Sequence, residues 1–277
     1  MVNKVLNYPG SKWNIASALV NLIPPHRSYV EPYFGSGAML FTKAPSAIET
    51  VNDLDGDVVN LFRCIQQDSG RLARLVMTTP FSREVYDKQF ELNNSCASRY
   101  QQRAAGFLIK CWQGYGFRTN GYRVGWRNDV QGRERAYSLW NWYCLPEWII
   151  EIAERLRKVQ IECRPALEVI ERFGYPKVFM YIDPPYLLGT RAAHREQYRH
   201  EMTDADHEEL LRAILQSRAQ IMISGYESEM YNDYLHGWRK ESFASHAEGG
   251  RPRQETVWMN YEYHVQMTLG DMEVGKG

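Results

Sequence analysis

Four consecutive residues, Asp183-Pro184-Pro185-Tyr186, bring together a carboxylate, two prolines and an aromatic ring. Proline fixes φ and lacks a backbone N–H, so the pair makes a stiff extended segment whose carbonyls can only accept. Asp183 sets a second acceptor beside the Pro184 carbonyl, and Tyr186 offers a flat face. Two fixed acceptors suit a planar amino group, because both of its N–H bonds are received at once and electron density moves onto its nitrogen. The implied ligand is an aromatic ring with an exocyclic amine, of which a nucleobase is the obvious example. The same four residues also suit a strand that ends in a Pro-Pro turn with an aspartate cap, so the companions must decide.

The apolar run V-F-M-Y-I (Val178 to Ile182) precedes the tetrapeptide and reads as a buried strand. Its carboxyl end is where an open α/β sheet places ligands. Near the amino end, Ser28 to Leu40 (S-Y-V-E-P-Y-F-G-S-G-A-M-L) reads as strand, glycine turn and helix. Gly35 and Gly37 allow a tight turn and a close backbone approach to a ligand. G-x-G alone is weak evidence; Leu40 stands where the dinucleotide fingerprint needs a third glycine, which disfavours a pyrophosphate cofactor. After a second strand, Asn52-Asp53 supplies an acid placed to accept from a ribose, so a ribose-bearing cofactor without a pyrophosphate fits better. Upstream, Asn7-Tyr8-Pro9-Gly10-Ser11-Lys12 is either a loop capping a helix over Trp13 to Ile23 or a lid that sets a ring and a cation near a ligand carboxylate.

In this combination the chain resembles the Dam-like group of DNA adenine methyltransferases. The matching residues are N-Y-P-G-S-K (7 to 12), E-P-Y-F-G-S-G (31 to 37), N-D (52 to 53), D-P-P-Y (183 to 186), D-H-E-E-L-L (206 to 211) and I-S-G-Y (223 to 226), in the family's order and around a long insertion. The resemblance implies a Rossmann-like α/β methyltransferase sheet with an antiparallel edge strand, plus a mainly helical target-recognition insertion carrying a β-hairpin. It implies a methyltransferase domain over 1–58 and 159–277 and a DNA-binding insertion over 59–158. S-adenosylmethionine is the implied methyl donor, with no metal, and Tyr8, Lys12, Glu31, Phe34, Gly35, Gly37, Asp53 and Asp183 are the implied cofactor residues. Asp183, Pro184, Pro185 and Tyr186 become the implied catalytic set. The chain departs from the pattern at Tyr33, where Phe is more usual, and at Arg164-Pro165-Ala166, where relatives often carry Asp or Asn at the cofactor's adenine edge.

The chemistry asked of these residues is modest. Adenine's amine is a poor nucleophile because its lone pair is delocalised, whereas a sulfonium methyl is already activated. Asp183 and the Pro184 carbonyl would localise that lone pair by electrostatic preorganisation and alignment. In a duplex the base must first leave the stack, and Tyr186 then receives it.

A formal net charge of zero over 277 residues argues mildly against nucleic acid, but the charge is unevenly spread. From Arg99 to Arg135 there are eight Lys and Arg residues against two acids, interleaved with Trp112, Tyr115, Phe117, Tyr122 and Trp126. Such a segment suits a phosphate-contacting surface. The glycines in Gly114 to Asp129 defeat a helix and point to a hairpin, either a reader entering a groove or a solvated basic loop packed on the insertion's own core. The resemblance places Arg118, Asn120, Arg123 and Arg127 on double-stranded DNA, with arginine to guanine or asparagine to adenine as the natural pairings. Two further polar segments, Leu187 to His200 with Arg191, Arg195 and Arg199, and His246 to Gln254 with Arg251 and Arg253, are either DNA-facing loops or plain surface.

Five cysteines, none in a C-x-x-C, suggest neither a zinc site nor a disulfide framework, and His207 reads as a helix-start residue. With no signal peptide or membrane-length apolar run, the expectation is a cytoplasmic, prokaryotic or phage-encoded protein, a monomer or homodimer, belonging to a restriction-modification pair or standing alone. Helical spacing covers Val58 to Met77, Arg83 to Leu92, Arg99 to Trp112, Glu147 to Lys158 and Asp204 to Ser217. Strands are expected at Val159 to Pro165 and Gln220 to Ser224, with an antiparallel edge near Thr256 to Tyr263 and Val265 to Leu269. Two other functions fit: an RNA adenine methyltransferase, and a catalytically inert DNA-binding protein. Asp183, Asp53 and Lys12 weigh against the latter.

Overall fold

The computed structural model describes residues 3–91, 100–128, 137–191, 196–246 and 252–262. Helix α1 (Ala16–Val20) leads into strand β1 (Ser28–Glu31), helix α2 (Ala38–Thr42), strand β2 (Ile48–Asn52) and the long helix α3 (Gly56–Met77). Helices α4 (Arg83–Glu91), α5 (Tyr100–Gln113) and α6 (Tyr137–Leu156) follow before the chain returns through strand β3 (Val159–Glu162). Helix α7 (Ala166–Arg172), strand β4 (Val178–Ile182), helix α8 (Asp204–Gln216), strand β5 (Gln220–Gly225) and helix α9 (Glu229–Tyr234) complete the alternation. The described chain ends in the hairpin β6 (Arg239–His246) and β7 (Pro252–Met259).

Among the described residues these strands form one sheet in the order β3-β2-β1-β4-β5-β7-β6. The first five are parallel and β7 runs antiparallel to β5. This is the expected α/β methyltransferase-type architecture. Strand order runs outward from β1 through β2 to β3, then reverses across β1 to β4, so the carboxyl ends of β1 and β4 flank the switch point where such sheets bind ligands. Register pairs Val30 with Met180, which brings the segments after Glu31 and Ile182 side by side. β4 is buried at all five positions, as a strand covered on both faces must be.

One sheet face shares its core with the helical segment: Phe62, Ile65, Leu108, Leu145 and Ile152 are fully buried in the same cluster as Tyr29, Phe179 and Met222. The opposite face packs Val30, Met180 and Ile182 against α7 and α8 through Ile170, Leu211 and Ile214. Position 58/59, the expected start of the insertion, falls inside the first turn of α3.

Several elements differ from their sequence patterns. The helix expected over Trp13 to Ile23 is regular only at Ala16–Val20, with three-residue turns on either side. α6 begins ten residues before Glu147, because the aromatic cluster Leu139-Trp140-Asn141-Trp142-Tyr143 masks its helical period. The antiparallel edge lies at 239–246 and 252–259, since R-K-E-S-F-A-S-H carries few apolar residues to mark β6; positions 265–269 lie outside the described residues. The expected β-hairpin within the helical segment is a loop closed by a single antiparallel bridge, Gly114 to Trp126, because its glycines disfavour a continuous ladder.

Candidate active site

The sheet delivers both glycine turn and tetrapeptide to a cleft of about 900 Å³. After β1, Gly35 and Gly37 adopt positive φ values of 50° and 71°. A Cβ on Gly37 would stand 2.6 Å from Phe34 and Phe41, so side chains are excluded there twice over, by conformation and by space. The Gly35 N–H donates to Asp53 Oδ2 at 2.8 Å, and the Asp55 N–H donates to Asp53 Oδ1 at the same distance. Asn52 fastens the neighbouring strand end by donating to the Pro32 and Arg164 carbonyls and accepting from the Arg164 N–H. Burial pushes the Asp53 carboxyl up to about 6, partly offset by these backbone donors. Glu31 is 2 % exposed, takes the Tyr29 hydroxyl at 2.6 Å, and is pushed by burial to about 8.

At the end of β4, Asp183 is held through one oxygen. Its Oδ1 accepts from Ser224 Oγ at 2.8 Å and lies 3.0 Å from Lys12 Nζ. Among the described residues neither Oδ2 nor the Pro184 carbonyl has a hydrogen-bond partner, and both residues line the cleft. Lys12 also donates to the Gly10 carbonyl at 2.9 Å and sits 4.7 Å from the Tyr186 ring centre. Burial disfavours its ammonium, but the Asp183 and Glu255 carboxylates outweigh that and raise its pKa. The Tyr186 hydroxyl donates to Glu255 Oε2 at 2.5 Å, and its ring meets Tyr226 edge-on at 4.6 Å. Burial, reinforced by Asp183 and Glu255, raises the Tyr186 phenol pKa well above its ordinary value. The ring is thereby fixed from both sides.

The cleft thus brings together Tyr8, Lys12, Glu31, Phe34, Gly35, Asp53 and the whole tetrapeptide, with Gly37 behind Phe34. Arg118, Asn120, Arg123 and Arg127 of the basic loop do not line the cleft. Arg118 stacks 5.1 Å from the exposed Tyr122 ring, Arg127 lies 5.4 Å from the exposed Tyr115 ring, and Arg123 pairs with Asp87 at 2.5 Å. The Asn120 amide donates to the Glu196 carbonyl at 3.0 Å. Arg191, expected on DNA, is 8 % exposed, donates to both Glu201 oxygens at 2.8 and 2.7 Å, and lies 5.3 Å from the Tyr198 ring. It therefore props the inner wall of the cleft. Arg251 lies outside the described residues, as do Arg133, Arg135 and Arg195.

Ser224, Glu255, Tyr198 and Asp55 were not identified as site residues from sequence. Ser224 stands inside the matched I-S-G-Y segment, but nothing local marks Glu255, which reaches Tyr186 only through the pairing of β7 with β5. His207 is the fourth residue of α8, buried with Nδ1 2.9 Å from the Tyr231 hydroxyl, and burial lowers its pKa to about 4. Among the described residues there is no cluster of three or more His, Cys, Asp or Glu able to hold a metal ion. No described helix is long and apolar enough to cross a membrane.

A model of the D12 class N6 adenine-specific DNA methyltransferases matches residues 8–248. Type II methyltransferase M.MjaIII of Methanocaldococcus jannaschii is 23 % identical over 265 residues, covering 86 % of this chain and 89 % of that protein. Retron Ec67 DNA adenine methylase of Escherichia coli is 24 % identical over 269 residues, covering 92 % and 90 %. The DNA N-6-adenine-methyltransferase of Escherichia phage P1 is 23 % identical over 200 residues, 66 % of this chain but 24 % of that longer protein. Among solved structures, the SAM dependent methyltransferase from Agrobacterium tumefaciens matches 89 % of this chain and 59 % of its own, at 12 % identity and a TM-score of 0.35. That likeness is distant, and the fold rests on the strand order.

Proposed function

The chain belongs to the D12 class N6 adenine-specific DNA methyltransferase family, and from that premise we propose that it methylates an adenine turned out of double-stranded DNA, with S-adenosylmethionine as donor. The single observation that carries this reading is the pair of open acceptors, Asp183 Oδ2 and the Pro184 carbonyl, beside the fixed Tyr186 ring.

The cofactor side has the acceptors such a molecule needs. The buried Asp55 Oδ2 has no hydrogen-bond partner, the Asp53 carboxylate faces the cleft, and Gly35 lets the backbone line the cleft at a positive φ beside Tyr8. Asp53 and Asp55 would accept from ribose hydroxyls or an ammonium, with Tyr8, Lys12, Glu31 and Phe34 forming the surrounding wall. When bound, the cofactor supplies an electrophilic sulfonium methyl group.

The protein's own residues do the rest. Lys12 and Ser224 hold Asp183 by one oxygen, which aims the other. That oxygen and the Pro184 carbonyl receive the two amine hydrogens and concentrate the nitrogen lone pair along the direction of attack. Positive charge developing on the nitrogen is stabilised by the Asp183 carboxylate. Tyr186 recovers by stacking, about 1–3 kcal/mol per base, part of the few kcal/mol that unstacking costs. Residues 59–158 act as the target-recognition insertion, with Arg118, Asn120, Arg123 and Arg127 toward DNA.

Transfer of a labelled methyl group tests the reading on matched duplex DNA and ribosomal RNA. Label is expected in the N6 position of duplex adenines and absent from RNA. Label in RNA alone would overturn the duplex assignment while leaving the chemistry intact.

A further inference from the structure

Thr119 is 3 % exposed, although it sits between Arg118 and the exposed Asn120 in the basic loop. Its N–H donates to the Gln197 carbonyl at 2.8 Å, and its hydroxyl accepts from the Arg199 N–H at 2.9 Å. One buried polar residue therefore ties the loop to residues 197–199.

That segment leads to the cofactor side of the cleft. Arg199 donates to Asp55 Oδ1 at 2.8 Å and to Asp57 Oδ2 at 2.6 Å, and the Asp55 N–H is in turn bound to Asp53. The adjacent Tyr198 donates to the Pro9 carbonyl at 3.2 Å and covers Gly10, where an added Cβ would stand 2.3 Å from its hydroxyl. The turn itself is rigid: Glu201 accepts from the Gln197 and Tyr198 N–H groups at 2.5 and 2.9 Å and is clamped by Arg191. Residues 196–201 thus form a strap, with the basic loop on one side and the cofactor loop and Asp55 on the other.

We propose that Thr119 is a positioning residue that couples the DNA-reading loop to the cofactor cleft, so that engagement of Arg118 and Asn120 by the duplex tightens cofactor binding through the strap. The proposal rests on the cofactor and DNA roles assigned above. Coupling of this kind is reciprocal: whatever factor DNA adds to cofactor affinity, cofactor adds to DNA affinity. It would favour occupancy of the cofactor cleft when the correct sequence is in place.

Calorimetric titration of the full chain with S-adenosylhomocysteine, which cannot turn over, tests it with and without a duplex carrying the context that the wild type methylates. The ratio of the two dissociation constants is the coupling factor, expected at about fivefold or more for the wild type, within the usual range for linked sites. Thr119→Val, which removes the hydroxyl but keeps the shape and the N–H bond, is expected to bring the ratio below about twofold, and Thr119→Ser to restore it. A wild-type ratio near one, an unchanged ratio in Thr119→Val, or a failure of Thr119→Ser to rescue would each overturn the proposal. Should Thr119→Val melt below the assay temperature, Arg199→Met cuts the same path at its far end, and an unchanged ratio there overturns it equally. A wild-type chain that binds no S-adenosylhomocysteine and methylates nothing instead brings down the cofactor reading, whereas methylation with no coupling removes only this inference.

Discussion

At the end of β4, Asp183 is held by Lys12 at 3.0 Å and Ser224 at 2.8 Å on a strand with every residue buried; in the loop between α5 and α6, Tyr115 and Tyr122 are 72 % and 61 % exposed around one isolated bridge. Both regions combine aromatic rings with charged groups. The first fixes them by sheet geometry and second contacts, and the second leaves them on a glycine-rich surface anchored at few points. The roles proposed for the two regions account for the difference. Methyl transfer depends on placing acceptors to within a fraction of an ångström, whereas reading a groove needs long side chains that can reach base edges and a loop that tolerates change.

The largest expected effect lies at the fixed end. Asp183→Ala should lower the turnover of labelled methyl by about 10³-fold or more, in the range that loss of a preorganised electrostatic partner costs, while gel-shift affinity for duplex DNA stays near wild type. Near-normal turnover would remove the division between the two regions. Tyr186→Ala should weaken capture of the extruded base by about 1–3 kcal/mol, measured as reduced fluorescence change of a 2-aminopurine placed at the target position. Arg118→Ala should do the reverse of Asp183→Ala. It is expected to cost about 1–3 kcal/mol at one position of the recognition sequence, seen as relaxed discrimination among duplexes, with little loss of turnover at saturating DNA.

The smallest effect concerns pH. Asp53 is raised by burial to about 6, so between its ordinary carboxyl range and that value the folded chain holds the proton that the unfolded chain has lost. Its contribution to stability is therefore greatest in acid and falls as pH rises toward 6. Cofactor binding runs the other way, because protonation removes an acceptor. S-adenosylhomocysteine affinity should weaken by at most about tenfold per pH unit below 6, and Asp53→Asn should flatten that slope. A slope retained in Asp53→Asn would assign the titration to another group.

The parts of the fold and site that depend on local chemistry were legible in the sequence. Val178 to Tyr186 could be read as strand plus acceptor pair because burial on both faces leaves an unbroken apolar run and proline leaves its own mark. Gly35, Gly37 and Asp53 were legible for the same reason. Contacts made by distant pairing were not. Glu255 reaches Tyr186 across 69 residues, and Thr119 meets Arg199 across 80. Arg191 shows the converse: a loop arginine next to a catalytic motif suggests DNA, yet Glu201, ten residues on, turns it inward. Neither β6 nor the start of α6 had an apolar period to announce it.

Base-resolution mapping of N6-methyladenine in DNA from cells expressing the wild type, Asp183→Ala or Arg118→Ala tests the division of labour most directly. Methylation is expected in one sequence context for the wild type, none for Asp183→Ala, and a broadened context for Arg118→Ala. Methylation by Asp183→Ala, or an unaltered context with Arg118→Ala, would contradict it.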